Sequence, residues 1–565
     1  MKKTITILAM TLLSINTFAQ APNWQWAKSA GGSYYDYGVG IVEDGAGNSY
    51  VTGNFGSPSI TFGSTTLTNA DNTGNTSDMY IVKYDAGGNV VWAKGAGGSS
   101  LDYGIGIAVD ASGNSYVTGE FQSSSITFGS TTLTNTHAGW YDIFIVKYDA
   151  SGNVVWAKSA GGTGDDAGNS IAVDASGNTY VTGYFLSSSI TFGSTTLTNS
   201  GGMFIAKYDA SGNVVWAISA GSYAVGNGIA VDATGNSYVT GYFGGSSITF
   251  GSITLTNAGG NNNPTDMFIV KYDASGAVVW ANRAGGSSPD MGNGIALDGS
   301  GNSYVTGYFQ SSTITFGSTT LTNADNTGYT YDMFIVKYDA SGAVVWANRA
   351  GGSYRDYGTG ITVDASGNSY ITGDFYSPSI SFGSITLSNL NIYGNNVDMF
   401  IVKYDTGGNA IWAKATGNYG VEGSGIAVNG RGNLYVTGDF NNLSITIGST
   451  TLNLAGQYDM FIAKIDSTQM TVGINEITSE ENEINIYPNP FTSQTTISFN
   501  ELQKNTTIKI MDVVGKEIKT VLFSGKSLIL EKGEMQSGVY FVQITVDSAS
   551  SPTYKNVVNK KVVVE

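Results

Sequence analysis

Five aspartates, Asp36, Asp102, Asp166, Asp290 and Asp356, stand at one position of a long repeat, each two residues before a glycine. The same position holds Ala224 in the fourth copy and Val421, beside Glu422, in the seventh. Hard oxygen ligands gathered around one axis suit calcium, the one cofactor this pattern suggests. Asp also caps loops by accepting backbone N–H groups, and a residue repeated in every copy commonly serves the copy itself.

A second set lies in segments that differ between copies. Trp140, Tyr141, Tyr329, Tyr331 and Tyr393 offer rings for stacking on sugar faces, with Asn326, Asn395 and Asn396 as hydrogen-bonding groups. The competing account packs them on their own loops. Signals for catalysis are few. His137 is the single histidine and cysteine is absent, so no triad of nucleophile and histidine can be built around a repeated serine. Asp165 and Asp166 form a carboxylate pair, but adjacent positions seldom face one substrate. Neither a zinc motif nor a phosphate-binding loop occurs, and a non-catalytic chain is expected.

What must position these residues is the repeat itself. Trp26, Trp92, Trp156, Trp216, Trp280, Trp346 and Trp412 follow one another at intervals of 60 to 66 residues. Each copy also carries a Gly-Ile-Ala-Val-Asp-like run, a Ser-Tyr-Val-Thr-Gly run and a Met-Phe-Ile-Val-Lys-Tyr-Asp run. The copies are offset: the tryptophan run at 23–30 precedes every other element, and the Met-Phe-Ile run at Met460 is followed by none. A four-stranded blade cannot bury both faces alone, and an open array leaves edge strands exposed. The offset therefore predicts a closed all-β ring of seven blades, the seventh formed by residues 425–466 with residues 24–30 as its fourth strand.

In blade two the expected strands are 105–110, 115–121, 143–149 and 154–159, with an accessory hairpin at 125–133. Turns reading Asp-Ala-Ser-Gly-Asn join strands one to two and three to four, all at one end. Their oxygens lack the spacing of an EF-hand loop, and a tight turn with glycine at positive φ accounts for them. Length variation falls at the opposite end, where any binding face is expected. The repeated tryptophans should pack between blades.

Glycine is 77 of 565 residues, at fixed repeat positions that argue for turns rather than disorder. The net charge of −17 makes nucleic acid an unsuitable partner. Residues 1–19 carry Lys2 and Lys3, an apolar run over 5–13 and Thr17-Phe18-Ala19, the pattern of a secretory signal peptide. No later stretch reaches the roughly 18 apolar residues needed to cross a bilayer, so residues 20–466 are expected as an exported, monomeric propeller. Residues 467–483 are polar and acidic and read as a linker. From 484 to 565 a new pattern, with strands at 495–499, 507–513, 518–523, 527–530, 539–546 and 556–564, suits a small β-sandwich.

With its Asp-Ala-Ser-Gly-Asn-Ser-Tyr-Val-Thr-Gly and Met-Phe-Ile-Val-Lys-Tyr-Asp runs, the repeat resembles the bacterial β-propeller repeats called SBBP. The C-terminal segment is similar to the type A sorting domain of the type IX secretion system of Bacteroidota. Tyr487, Pro488, Asn489 and Pro490 match its opening motif, Gly538 and Tyr540 its internal motif, and Lys560 and Lys561 its basic terminus. The resemblance implies recognition by the outer-membrane translocon, removal of the domain, and release or surface attachment of the product. The expected role is a secreted or surface binding or adhesion module for extracellular polysaccharide or a surface protein. Two rivals are a polysaccharide-degrading enzyme using channel-mouth carboxylates such as Asp102, Asp166 and Asp356, and a purely structural surface protein.

Overall fold

The computed structural model describes residues 21–71, 74–198, 201–259, 264–325, 330–389, 397–466, 484–512, 516–533, 535–547 and 555–564. The proposed signal peptide and linker lie outside them. The chain divides between Met470 and Thr471 into two compact units.

In the first unit, blade two is an antiparallel sheet of Asp102–Val109, Ser115–Phe121, Asp142–Tyr148 and Val154–Ala160, paired in that order. Its third strand is buried almost throughout because both faces of the sheet are covered. On one side Phe121, Phe144 and Val146 pack with Tyr50, Met79 and Ile81 of blade one. Five more blades repeat this order, and each blade carries a two-stranded accessory hairpin.

The seventh blade is made of Val421–Val428, Asn433–Phe440 and Asp459–Asp466, completed by Trp24–Ala30. Ala30 pairs with Met460 and Ala27 with Ala463, so the offset in the repeats is the closure of the ring. The innermost strands of blades seven and one touch as well: a Cβ on Gly425 would lie 3.1 Å from the Val39 carbonyl oxygen.

Each Ser-Tyr-Val-Thr-Gly run needs its glycine for the same reason. In blade two, a Cβ on Gly119 would sit 1.9 Å from the Tyr103 carbonyl oxygen, where the first strand bulges between Gly104 and Gly106. At the opposite end the uniform turns are built on aspartate. Asp110 Oδ1 accepts from the backbone N–H groups of Ser112 and Asn114, Oδ2 accepts from Asn114 Nδ2, and Gly113 takes a φ of 78°.

The tryptophans link neighbouring blades at that end. Trp92 Nε1 donates to the Ala150 carbonyl of the next blade at 3.2 Å, and its ring covers Gly152 in the same turn. Trp156, Trp216, Trp280 and Trp346 make the corresponding bond one blade further on. Trp412 is the exception. Its neighbour is the seam blade, whose fourth strand is the first strand of the propeller sequence, and among the described residues its buried Nε1 has no hydrogen-bond partner. It packs instead in the apolar cluster that includes Trp24 and Ala27.

The second unit is one five-stranded sheet, in which Ile484–Tyr487, Gln494–Asp512, Gly538–Asp547 and Lys555–Val564 pair in that order and Glu517–Glu531 pairs with Gln494–Asp512. Four expected strands are thus the halves of two long ones. Register shifts between Ser498 and Thr506 break the long pair, and such irregularities bend a strand. Ile497 and Phe499 from one half share a single core with Ile508 and Ile510 from the other, so the sheet folds over itself and is nearly closed. Among the described residues no helix is long and apolar enough to cross a membrane.

Candidate functional site

The repeated aspartates begin the first strand of their blades and are fully buried. Asp102 Oδ2 accepts from the Gly98 N–H at 2.8 Å and from the Ser123 hydroxyl at 2.7 Å, while Oδ1 accepts from the Ser123 N–H. Asp36 is bonded alike by Gly32 and Ser57, and Asp356 by Gly352 and Ser377. Asp166 and Asp290 have the same serine partner, as Ser187 and Ser311. Each carboxylate is thus engaged by a serine of its own blade, and Asp36, Asp102 and Asp356 also by a glycine N–H of the segment that joins two blades. Among the described residues no three or more His, Cys, Asp or Glu side chains are arranged to hold a metal ion.

The residue after each of these positions lies opposite a residue of strand two that also changes from blade to blade. The pairs are Tyr37 with Asn54, Tyr103 with Glu120, Ala167 with Tyr184, Val225 with Tyr242, Met291 with Tyr308, Tyr357 with Asp374 and Glu422 with Asp439. Glu120, Tyr184, Tyr242 and Tyr308 are successive electrostatic neighbours. They form an uneven collar at the end that carries the variable loops.

The collar is interrupted between blades six and seven by a recess. A cleft of about 520 Å³ opens there, walled by Tyr354, Arg355, Tyr357, Tyr376, Glu422 and Tyr458. Tyr357 lies 5.0 Å from Tyr308 and 6.4 Å from Tyr376 between ring centroids, edge to face in both cases. On the other wall Tyr458 lies 5.6 Å from both Tyr35 and Tyr37, and its hydroxyl accepts from Asn441 Nδ2 at 2.8 Å. The Arg355 guanidinium is 5.5 Å from the centre of the Tyr331 ring.

Three acids stand beside this cleft. Glu422 and Asp439 are directly opposite on paired strands, where like charges repel. Asp374 Oδ1 accepts from the Gly423 N–H at 2.7 Å, whereas Asp439 Oδ2 is buried with no hydrogen-bond partner among the described residues. Burial pushes all three carboxyls up, and the charge of Glu422 pushes Asp374 and Asp439 further.

Of the ring-bearing loop residues, Tyr331 packs on Tyr308 and Tyr357 at 5.1 and 5.5 Å and so supports the cleft from behind. Tyr141 stacks on Tyr103 at 6.0 Å, two blade joints from the seam. Trp140 is 45% exposed, and its carbonyl accepts from Asn135 Nδ2. Asp165 Oδ1 accepts from the Tyr141 N–H. Tyr329, Tyr393, Asn326, Asn395 and Asn396 lie outside the described residues. Glu422 was noted in the sequence beside Val421, but Tyr357, Tyr376, Tyr458, Asp374 and Asp439, which line or border the cleft, were not singled out. For Asp374 and Asp439 the signal was the variable position of Ser-Tyr-Val-Thr-Gly-X-Phe, inside a strand that is otherwise repeated.

In the second unit the sorting motifs meet. Asn489 Oδ1 accepts from the Val563 N–H at 2.8 Å, and the Phe491 N–H donates to the Val563 carbonyl at 3.0 Å. Tyr487 is 80% exposed, Pro488 and Pro490 follow cis peptide bonds, and the Tyr540 hydroxyl donates to the Gln536 carbonyl. Lys560 and Lys561 pair along the strand beginning at Gly538, opposite Val542 and Phe541.

Fold and motifs together define an exported β-propeller protein with a separate sorting module. The beta-propeller repeat family SBBP matches residues 91–120, 279–308 and 345–374, and the secretion system C-terminal sorting domain family matches residues 485–564. The chain is therefore an SBBP-repeat propeller bearing a type IX sorting domain, secreted or attached to the outer-membrane surface, and the domain implies interaction with that secretion system.

An uncharacterized WD repeat-containing protein of Acanthamoeba polyphaga mimivirus is 27% identical over 68% of this chain and 33% of its own length. The regulatory protein FlaEY of Caulobacter vibrioides is 28% identical over 19% of this chain and 11% of its own. The chain thus spans a third or less of the curated relatives it matches. Among solved structures, a PL25 ulvan lyase is 12% identical with a TM-score of 0.32, covering 76% of this chain and 97% of its own. The type-IX secretion component PorZ of Porphyromonas gingivalis is 11% identical with a TM-score of 0.18, covering 95% of this chain and 100% of its own.

Proposed function

We propose that the propeller is a non-catalytic binding module whose ligand is an extracellular polysaccharide seated in the cleft between blades six and seven. The observation that carries this reading is the wall of tyrosines, Tyr354, Tyr357, Tyr376 and Tyr458, around a recess of about 520 Å³. That volume lies within the roughly 300–1,000 Å³ typical of ligand pockets. A tyrosine presents an apolar face for stacking and a hydroxyl for hydrogen bonding, which suits a pyranose ring with its alternating C–H and O–H faces. The repeat demands none of these rings: the positions of Tyr357 and Tyr376 hold Ala167 and Leu186 in blade three.

Isothermal titration of the purified chain against a panel of soluble polysaccharides tests the reading. A bound polysaccharide should lose about tenfold or more in affinity in Tyr357→Ala or Tyr376→Ala, at unchanged melting temperature. Undiminished binding in both variants would overturn the assignment of the cleft.

A further inference from the structure

We propose that the cleft selects an ammonium-bearing sugar, a polymer of unacetylated hexosamine, whose amino group docks on Glu422 between the tyrosines. This rests on the carbohydrate-binding role just described and names its ligand class.

The cleft brings together carboxyl groups of blades six and seven. Glu422 stands in the wall, and Asp439 stands opposite it on the neighbouring strand. Asp374 approaches from blade six through its bond to the Gly423 N–H. At the positions of Asp374 and Asp439, blades three, four and five have Tyr184, Tyr242 and Tyr308. Asp439 is only 5% exposed, and among the described residues its Oδ2 has no hydrogen-bond partner. A buried, unpartnered carboxylate oxygen is costly, and a cation beside Glu422 offsets that cost.

The rings point to the same chemistry. Tyr376 and Tyr37 both lie within electrostatic reach of Glu422 and Tyr458. Tyrosines grouped around a carboxylate bind ammonium groups through the negative faces of their rings. Arg355 is the competing cation in the cleft. Its guanidinium is placed over Tyr331 and hydrogen-bonded to Tyr357, so it is held against the tyrosine wall rather than across Glu422. A recess of this size encloses a sugar or two, and its tyrosine walls complement pyranose faces, which favours an amino sugar over a protein side chain.

The test is titration of the purified full chain with glucosamine hexamer, N-acetylglucosamine hexamer, a neutral glucose hexamer and a lysine-rich peptide. The inference expects glucosamine hexamer to bind at least tenfold tighter than the acetylated form, with an affinity that falls as salt rises. Glu422→Gln should remove the preference while leaving the melting temperature within a few degrees. If that variant fails to fold, the salt dependence and the acetylated control on the native chain still decide the matter. Equal binding of both hexosamine polymers, or preference for the neutral one, would overturn this inference and leave the carbohydrate role standing. Binding of the peptide alone would overturn both, whereas binding of none of the four would overturn this inference and leave the carbohydrate role to the polysaccharide panel.

Discussion

Asp78 and Asp102 approach the joint between blades one and two from opposite sides and share the backbone N–H of Gly98. Four other joints carry the same pair: Asp142 with Asp166, Asp266 with Asp290, Asp332 with Asp356 and Asp459 with Asp36. At the joint between blades three and four both members are missing, replaced by Gly202 and Ala224. At the joint before blade seven Asp398 faces Val421 and is instead bonded by Thr416 and the Gly417 N–H.

These pairs give the ring an unusual response to acid. Burial raises Asp102 to about 7 and Asp78 to about 6, from 3.8 in the open chain, and raises Asp290 and Asp356 to about 7. Arg283 and Arg349 ease Asp266 and Asp332, which still stand at about 6. A raised carboxyl binds its proton more tightly in the folded state, so its contribution is complete below about pH 4 and is lost as pH rises through 6 to 7. Turn aspartates work in the opposite sense. Hydrogen bonds from Asn153 hold Asp149 below its ordinary value, and that contribution is lost as pH falls through the lowered value. Calorimetry should therefore find the highest melting temperature near about pH 5, falling toward pH 8. A melt that rises steadily over that interval would count against the pairs.

The same geometry bears on metal. The joint carboxylates already hold backbone N–H groups and serine hydroxyls, so removing divalent ions with a chelator should leave the melting temperature of the propeller unchanged. A drop of several degrees, restored by calcium, would return Asp36, Asp102, Asp166, Asp290 and Asp356 to the role of ligands.

Glycine in the second strand is a steric requirement. In Gly241→Ala the new methyl would lie 1.9 Å from the Val225 carbonyl oxygen. Denaturant unfolding should show a loss of about 1–3 kcal/mol, whereas Gly299→Ala, where a Cβ meets nothing within 4 Å, should change little.

Ring closure is tested by truncation. Removing residues 20–30 uncovers the edge of Asp459–Asp466 and exposes the cluster around Trp412. The melting temperature should fall by about 10 °C or more; an unchanged melt would mean that the first strand is dispensable.

In the sorting unit, Asn489→Ala removes the acceptor for the Val563 N–H. Hydrogen exchange at that amide should quicken, with a loss of about 1 kcal/mol in local stability. Unaltered protection would show that the backbone bond from Phe491 suffices.

The blade count and the identity of the closing strand were legible because the repeat is nearly exact and its missing piece sits at the other end of the chain. The cleft was not. Length differences direct attention to loops, but Asp374, Asp439 and Glu422 lie in strands that otherwise follow the repeat. Only strand pairing shows that the two variable positions face each other, as Tyr357 faces Asp374. The joint pairs were half legible: Asp102 stood out, but its partner Asp78 belongs to the previous copy.

The bond between Ala30 and Met460 also sets an order in time. The strand that finishes the ring is made first, and its partner is made after nearly every other blade. During synthesis and passage across a membrane the first strand has nothing to pair with, and blade seven has an open edge until the two ends meet. Such long-range pairing is intrinsically slow, so the closing step of the ring waits on the two most distant parts of the propeller sequence.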